Sequence, residues 1–235
     1  MKVDNYFSRW LDTALLGHCA LCRTGTHAGS LCANCEASLP WIANPCRGCA
    51  VPMSGAEPGL CADCLQDPPM FDHAWSAFRL AAPVHGMVHG LKYSARFSAA
   101  HLLGTMAAQK LARRPEPLPE LLIPVPLHPL RQLRRGYNQA QELARAIQTT
   151  LAIPVAPRAA IRVRATPDQI GQSAVQRRRN LKNAFEISLP LQDLHVALID
   201  DVMTTGTTLV ELARACRKAG AKKVEAWALA RAVWR

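Results

Sequence analysis

Residues 196–208, VALIDDVMTTGTT, hold the side chains best suited to chemistry. Two adjacent carboxylates, Asp200 and Asp201, are followed by Thr204, Thr205, Gly206, Thr207 and Thr208. After these comes the helical spacing of Leu209, Leu212, Ala213 and Cys216. A Gly- and Thr-rich turn that opens a helix offers free backbone N–H groups and a partial positive charge, which suits a phosphate. The acids would repel that phosphate unless they hold something else, such as a metal ion or sugar hydroxyls. A ligand with one phosphate beside a diol satisfies both halves. The plainer alternative is an ordinary strand-to-helix turn with a Thr cap.

A second set of anion-binding side chains lies in LLIPVPLHPLRQLRRGYNQAQELARAI. Residues 121–125 have the build of a strand, and residues 139–147 that of an amphipathic helix. Arg131, Arg134, Arg135 and Gly136 stand between them. Guanidinium forks match phosphate oxygens, so a strand-to-helix loop of this composition is a candidate anion site.

These groups need a scaffold that brings them together. The apolar run 196–199 suits a strand buried on both faces of a parallel sheet. Further strands are expected at 74–80, 121–125 and 222–231, with Ile161 to Arg164 alternating like a strand. Helices are expected from Pro83 to Lys92-Tyr93, over 97–113, over 139–147 and after Thr208. Alternating strands and helices predict an α/β, doubly wound parallel sheet. In such a sheet the loops at the carboxyl ends of neighbouring strands face one crevice, so the arginine loop and the 196–208 turn should meet across one ligand. Residues 158–182 carry seven basic side chains and one acid, Asp168. That stretch reads either as a flexible lid over the site or as a solvated basic surface. His85 and His89, four apart, offer a metal pair or a solvated helix face.

An apolar strand, Asp-Asp, Val, two residues and Thr-Gly-x-Thr resembles the signature of type I phosphoribosyltransferases. The resemblance implies that Asp200 and Asp201 hold the ribose 2′ and 3′ hydroxyls of phosphoribosyl pyrophosphate (PRPP). It implies that Thr204 to Thr208 wrap its 5′-phosphate. It places Arg131, Arg134, Arg135 and Gly136 at the pyrophosphate, with Mg²⁺ bridging diol and pyrophosphate.

Eight of the nine cysteines form four C-x2-C pairs: Cys19/Cys22, Cys32/Cys35, Cys46/Cys49 and Cys61/Cys64. Two such turns close one tetrahedral Zn²⁺ site, so two structural zinc sites are expected. Sequential and cross-braced pairing both fit the spacing. Disulfides are the competing reading, which an intracellular chain disfavours. So short a segment hardly buries a core without metal.

No apolar run approaches the roughly 20 residues of a spanning helix. The first residues lack the basic-then-apolar build of a signal peptide. Val3, Tyr6, Phe7, Trp10, Leu11, Ala14 and Leu15 instead repeat with helical period, predicting an amphipathic helix and a cytoplasmic protein. Residues 1–70 carry four Lys/Arg and six Asp/Glu, whereas residues 71–235 carry 24 and 11. The basicity lies with the phosphate turn and suits phosphorylated ligands or nucleic acid. A joint at 65–72, LQDPPMFD, divides a domain of residues 1–70 (helix plus double zinc ribbon) from one of residues 71–235.

Taken together, the eight cysteines, Leu91-Lys92-Tyr93, PVPLHP through RRGYNQA, Gln169 with Arg177 to Asn180, and VALIDDVMTTGTT resemble the ComF family. That family joins an N-terminal double zinc ribbon to a type I phosphoribosyltransferase-like domain and is associated with natural competence and single-stranded DNA import. One departure is Ala95, where many of its sequences have glycine. The resemblance implies PRPP as ligand, with release of pyrophosphate if a phosphoribosyl group is transferred. It makes Gln169, Arg177, Arg178 and Arg179 a flexible basic loop. Competence and DNA-uptake proteins would be partners through the zinc ribbon. The competing hypothesis is a non-catalytic PRPP sensor or single-stranded-DNA-binding factor. A pure zinc interaction module would leave the phosphate turn unexplained.

Overall fold

The computed structural model describes residues 16–27, 30–55, 59–163, 181 and 183–233. The expected N-terminal helix, Gln169, Arg177, Arg178 and Arg179 lie outside the described residues. The chain divides into two compact units between Leu39 and Pro40. In the first unit β1 (Leu16–His18) and β2 (Gly25–His27) form an antiparallel hairpin, and a short α1 (Ala33–Ala37) begins after Cys32.

The second unit contains α2 (Ala62–Gln66), β3 (His73–Arg79), α3 (Val84–Tyr93), α4 (Phe97–Leu111) and β4 (Leu121–Pro124). It continues with α5 (Pro129–Arg135), α6 (Gln139–Leu151), β5 (Ala160–Arg162), β6 (Phe185–Ile187), β7 (His195–Met203), α7 (Thr207–Lys218) and β8 (Lys223–Arg231). A four-stranded sheet of order β3-β8-β7-β4 is parallel throughout. β5 and β6 form a separate antiparallel pair.

The burial pattern explains the topology. All residues of β8 except its two ends are buried, as required of a strand covered on both faces. Leu103, Ala107 and Leu111 of α4 and Leu143, Ala146 and Ile147 of α6 are buried. A Cβ at Gly104 would lie 2.7 Å from that of Ala146, so the two helices meet where only glycine fits. Cys216 of α7 is a fully buried core residue, as its helical position predicts.

Two differences from the sequence expectation bear on the site. β7 continues past residue 199 to Met203, because Asp200 and Val202 stay in register with Ala228 and Ala230. Residues 129–135, expected as a loop, form helix α5. Pro129 at its first turn, the side chain of His128 accepting from the Leu130 N–H at 3.3 Å, and Gly136 (φ 81°) as left-handed C-cap define it.

Residues 40–64 pack within the second unit. Trp41 makes an antiparallel bridge with Phe78, their rings 4.4 Å apart. The Ile42 N–H donates to Ala77 (2.9 Å), and the Ala74 N–H donates to Arg47 (2.7 Å). The knuckle holding Cys46 and Cys49 is therefore stitched to β3.

At the opposite end of the sheet from the acid pair sits one buried carboxylate. Glu225 is fully buried; Arg114 grips it with two hydrogen bonds of 2.6 and 2.8 Å. His195 Nε2 lies 2.9 Å away, Lys223 Nζ 3.0 Å, and Trp227 Nε1 donates at 2.9 Å. Burial pushes the Glu225 carboxyl up, but the His73 ring, its Nδ1 3.7 Å away, and the hydrogen bonds and charge of Arg114 outweigh it and hold it far below the usual carboxylate range.

Candidate functional site

The acid pair lies near the carboxyl end of β7. The Asp200 carboxylate accepts from the Asp201 N–H at 2.9 Å. Asp201 is buried, and Lys92 Nζ at the end of α3 lies 3.0 Å from its Oδ2. Burial first, then the charge of Asp201, pushes the Asp200 carboxyl up to about 8, while Lys92 opposes the shift. Two carboxyls so arranged resist joint ionisation until a cation or hydroxyl donors reach them.

The turn after the acids opens α7. Gly206 has φ 74°, a left-handed conformation that an L side chain reaches only with strain, and it opens α7 without a side-chain cap. The first N–H groups of α7 therefore have no partner in the helix or its cap. Thr205 and Thr207 hydroxyls share a 2.8 Å hydrogen bond. Asp200 and residues 202–209 surround an open depression.

The arginine segment leaves the neighbouring strand end. The Val125 N–H donates to Ile199, the residue before the acid pair, at 2.9 Å. Asn138 caps α6 through its Oδ1 (3.0 Å from the Ala140 N–H), and its Nδ2 donates to Val125 at 2.9 Å. Arg131 and Asp200 both act on Arg162 of β5. Burial and then the Arg131 charge lower the Arg162 pKa, and Asp200 raises it. Arg134 is exposed, and Arg135 lies over the Tyr93 ring, 5.6 Å from its centroid.

Sequence reasoning did not single out Arg162 as a site residue; its only signal was a basic residue alternating in a short strand. Lys92 was visible only within the Leu91-Lys92-Tyr93 motif. That motif joins the two halves: Tyr137 donates to the Leu91 carbonyl, Lys92 pairs with Asp201, and Tyr93 lies under Arg135. Two residues later Ala95 has φ 48°. The departure from glycine therefore falls at a left-handed position. Ala95→Gly is expected to stabilise the fold by about 0.5–1 kcal/mol. Denaturant unfolding checks this, and an Ala95→Gly protein less stable than the wild type would contradict it.

The cysteines form two groups, Cys19, Cys22, Cys32 and Cys35, and Cys46, Cys49, Cys61 and Cys64. Ligand atoms within each group lie within 4.8 Å of one another, so the grouping is sequential rather than cross-braced. Sulfurs of Cys22 and Cys32, and of Cys49 and Cys61, are 3.6 Å apart. Four ligands about 2.3 Å from a tetrahedral Zn²⁺ have edges of about 3.8 Å, so both groups fit zinc. N–H groups of Gly48 and Cys61 donate to Cys46 Sγ at 3.4 and 3.2 Å, as suits a thiolate ligand. Among the described residues these are the only groups of three or more such ligands close enough for a metal, so His85 and His89 form no such group. Among the described residues no helix is long and apolar enough to cross a membrane.

Residues 10–65 match the double zinc ribbon domain, and residues 133–232 match the phosphoribosyl transferase domain. "DNA utilization protein YhgH" of Salmonella typhi is 37% identical over 223 residues, covering 92% of this chain and 97% of that protein. "Competence protein F" of Haemophilus influenzae is 34% identical over 229 residues, covering 94% and 93%. A purine phosphoribosyltransferase from Pyrococcus horikoshii has TM-score 0.33 and 22% identity, over 55% of this chain and 70% of that one, too little to argue from.

Proposed function

Because the chain belongs to the ComF family, we propose that its acid pair and threonine turn bind PRPP with Mg²⁺ and that the protein serves DNA uptake from the cytoplasm. The names of its relatives, a competence protein and DNA utilization proteins, support the cellular part. The observation that supports the molecular part is the Val125–Ile199 hydrogen bond, which ties the strand end that leads into the arginine segment to the strand that carries the acids. Asp200 and Asp201 take the ribose hydroxyls, the first N–H groups of α7 take the 5′-phosphate, and Arg131 with Arg134 receives the pyrophosphate. Asp200 and Asp201 would hold Mg²⁺ together with the sugar, and the ion would supply charge neutralisation for the departing pyrophosphate. Phosphoribosyl transfer breaks the bond from C1′ to the pyrophosphate oxygen, whose electron pair leaves with pyrophosphate, as an acceptor bonds to C1′. Lys92 fixes Asp201, so that the sugar meets a set geometry.

Arg131→Ala with Arg134→Ala separates the two halves of the ligand. PRPP affinity is expected to fall about 30-fold or more, as loss of charge-assisted hydrogen bonds predicts, while ribose 5-phosphate affinity changes little. Calorimetric titration reads both. Equal losses for the two ligands would remove the arginines from the pyrophosphate role.

A second reading has its own observation. Residues 84–111, spanning α3 and α4, contain no Asp or Glu. On the exposed side of α3 the rings of His89 and Tyr93 lie 4.6 Å apart. Rings among cations suit single-stranded nucleic acid. Tyr93→Ala should then weaken oligonucleotide binding; an unchanged affinity would dismiss this surface.

A further inference from the structure

Arg231, the last residue of β8, spends its guanidinium on four backbone carbonyls rather than on a carboxylate among the described residues. Nε donates to Cys49 at 2.7 Å. Nη1 donates to Met203 at 3.1 Å, to Ala232 at 2.6 Å and to Thr204. Cys49 is a ligand of the second four-cysteine group, and Thr204 is the first residue of the phosphate turn. One planar fork therefore joins a metal knuckle to the backbone that sets the turn.

We propose that Arg231 is a positioning residue through which metal occupancy of the second cysteine group controls the phosphate-binding turn. The C-x2-C knuckle is a tight loop: the Ala50 N–H donates to Cys46 (2.8 Å), and the Cys46 N–H donates to Val51 (2.8 Å). Its sulfurs are held by the metal, so the Cys49 carbonyl is fixed when the site is loaded and loosened when it is empty. A fixed Cys49 carbonyl orients the Arg231 fork, and the fork holds the Met203 and Thr204 carbonyls. The carbonyls so held set the angle at which the turn enters Gly206 and α7. The guanidinium also leaves a positive charge at the base of the turn, which favours an anion there. Coupling of this kind is reciprocal, so an anion on the turn tightens the knuckle. Only the identity of the anion rests on the PRPP reading; the mechanical link does not.

Amide hydrogen exchange on the full zinc-loaded chain tests the link without any ligand. Arg231→Met is expected to speed exchange about tenfold or more both at 204–210 and at 46–51, while residues 224–229 in the centre of β8 stay protected. Arg231→Lys, which keeps the charge but loses the fork, should show the same two-ended loosening to a smaller degree. Chelating the zinc should loosen 204–210 in the wild type and add nothing further in Arg231→Met. Loosening at one end only, or an equal response to chelation in both proteins, would overturn the proposal. Ribose 5-phosphate affinity should fall about fivefold in Arg231→Met, as the loss of an ordered turn implies. Two-ended loosening in a protein that binds no ribose 5-phosphate would uphold the link and reject the PRPP reading.

Discussion

Asp200→Asn with Asp201→Asn is expected to lower PRPP affinity about 100-fold or more, since in the proposed function both carboxylates accept ligand hydroxyls and both are lost at once. The same change should make the protein more stable at pH 8. Burial and the neighbouring Asp201 push the Asp200 carboxyl up from 3.8 to about 8. A group whose folded pKa is raised gives stability that is fully present below its unfolded pKa and is lost as pH rises through the folded value. The wild type therefore loses stability between about pH 4 and pH 8, and Asp200→Asn removes that loss. A gain of about 1–3 kcal/mol at pH 8, vanishing near pH 4, is expected. Urea unfolding at the two pH values measures it. A variant that binds PRPP as the wild type does, or is no more stable at pH 8, would contradict the assignment. Stability exchanged for binding in this way is the mark of a functional acid pair.

Glu225→Gln is expected to cost about 3–5 kcal/mol, because Arg114 and Lys223 are left without their buried counter-charge. For a chain of this length that lowers Tm by about 10 °C. The Glu225 carboxyl is held far below its usual value of 4.5, so its contribution is present above that pH and is lost on acidification. The variant should therefore lose less on acidification than the wild type. Pairing it with Arg114→Met should recover part of the loss, since no unpaired guanidinium then remains. Thermal unfolding of the two single variants and the double variant decides this. A Glu225→Gln protein as stable as the wild type would show that the cluster is not a structural hub.

Legibility in the sequence followed the range of the interactions. The strand with Asp200 and Asp201, the Gly206 turn and the four cysteine pairs are local patterns, with spacing set by one ligand or one helix start. Each cysteine group lies together as spacing allowed. Its sequential pairing was open, because the choice depends on how the knuckles sit in three dimensions. Helix α5 was missed for a local reason: three arginines obscured a seven-residue helix that opens on Pro129 and is capped by Gly136. Arg162, Arg231 and Glu225 were missed for a different reason. Their partners lie far away in the chain: Arg231 reaches Cys49, and Glu225 reaches Arg114. In the sequence Glu225 was one polar residue in an apolar strand. Nothing around it announces a buried charge held by residues from four segments.

The measurement that bears most directly on the central claim is calorimetric titration of PRPP with Mg²⁺ into the zinc-loaded protein, beside ribose 5-phosphate under the same conditions. The account predicts that both bind and that PRPP binds at least about tenfold more tightly, because only PRPP reaches the arginine segment. Equal affinities would detach that segment from the acid pair, and binding of neither would contradict the ligand assignment for the turn.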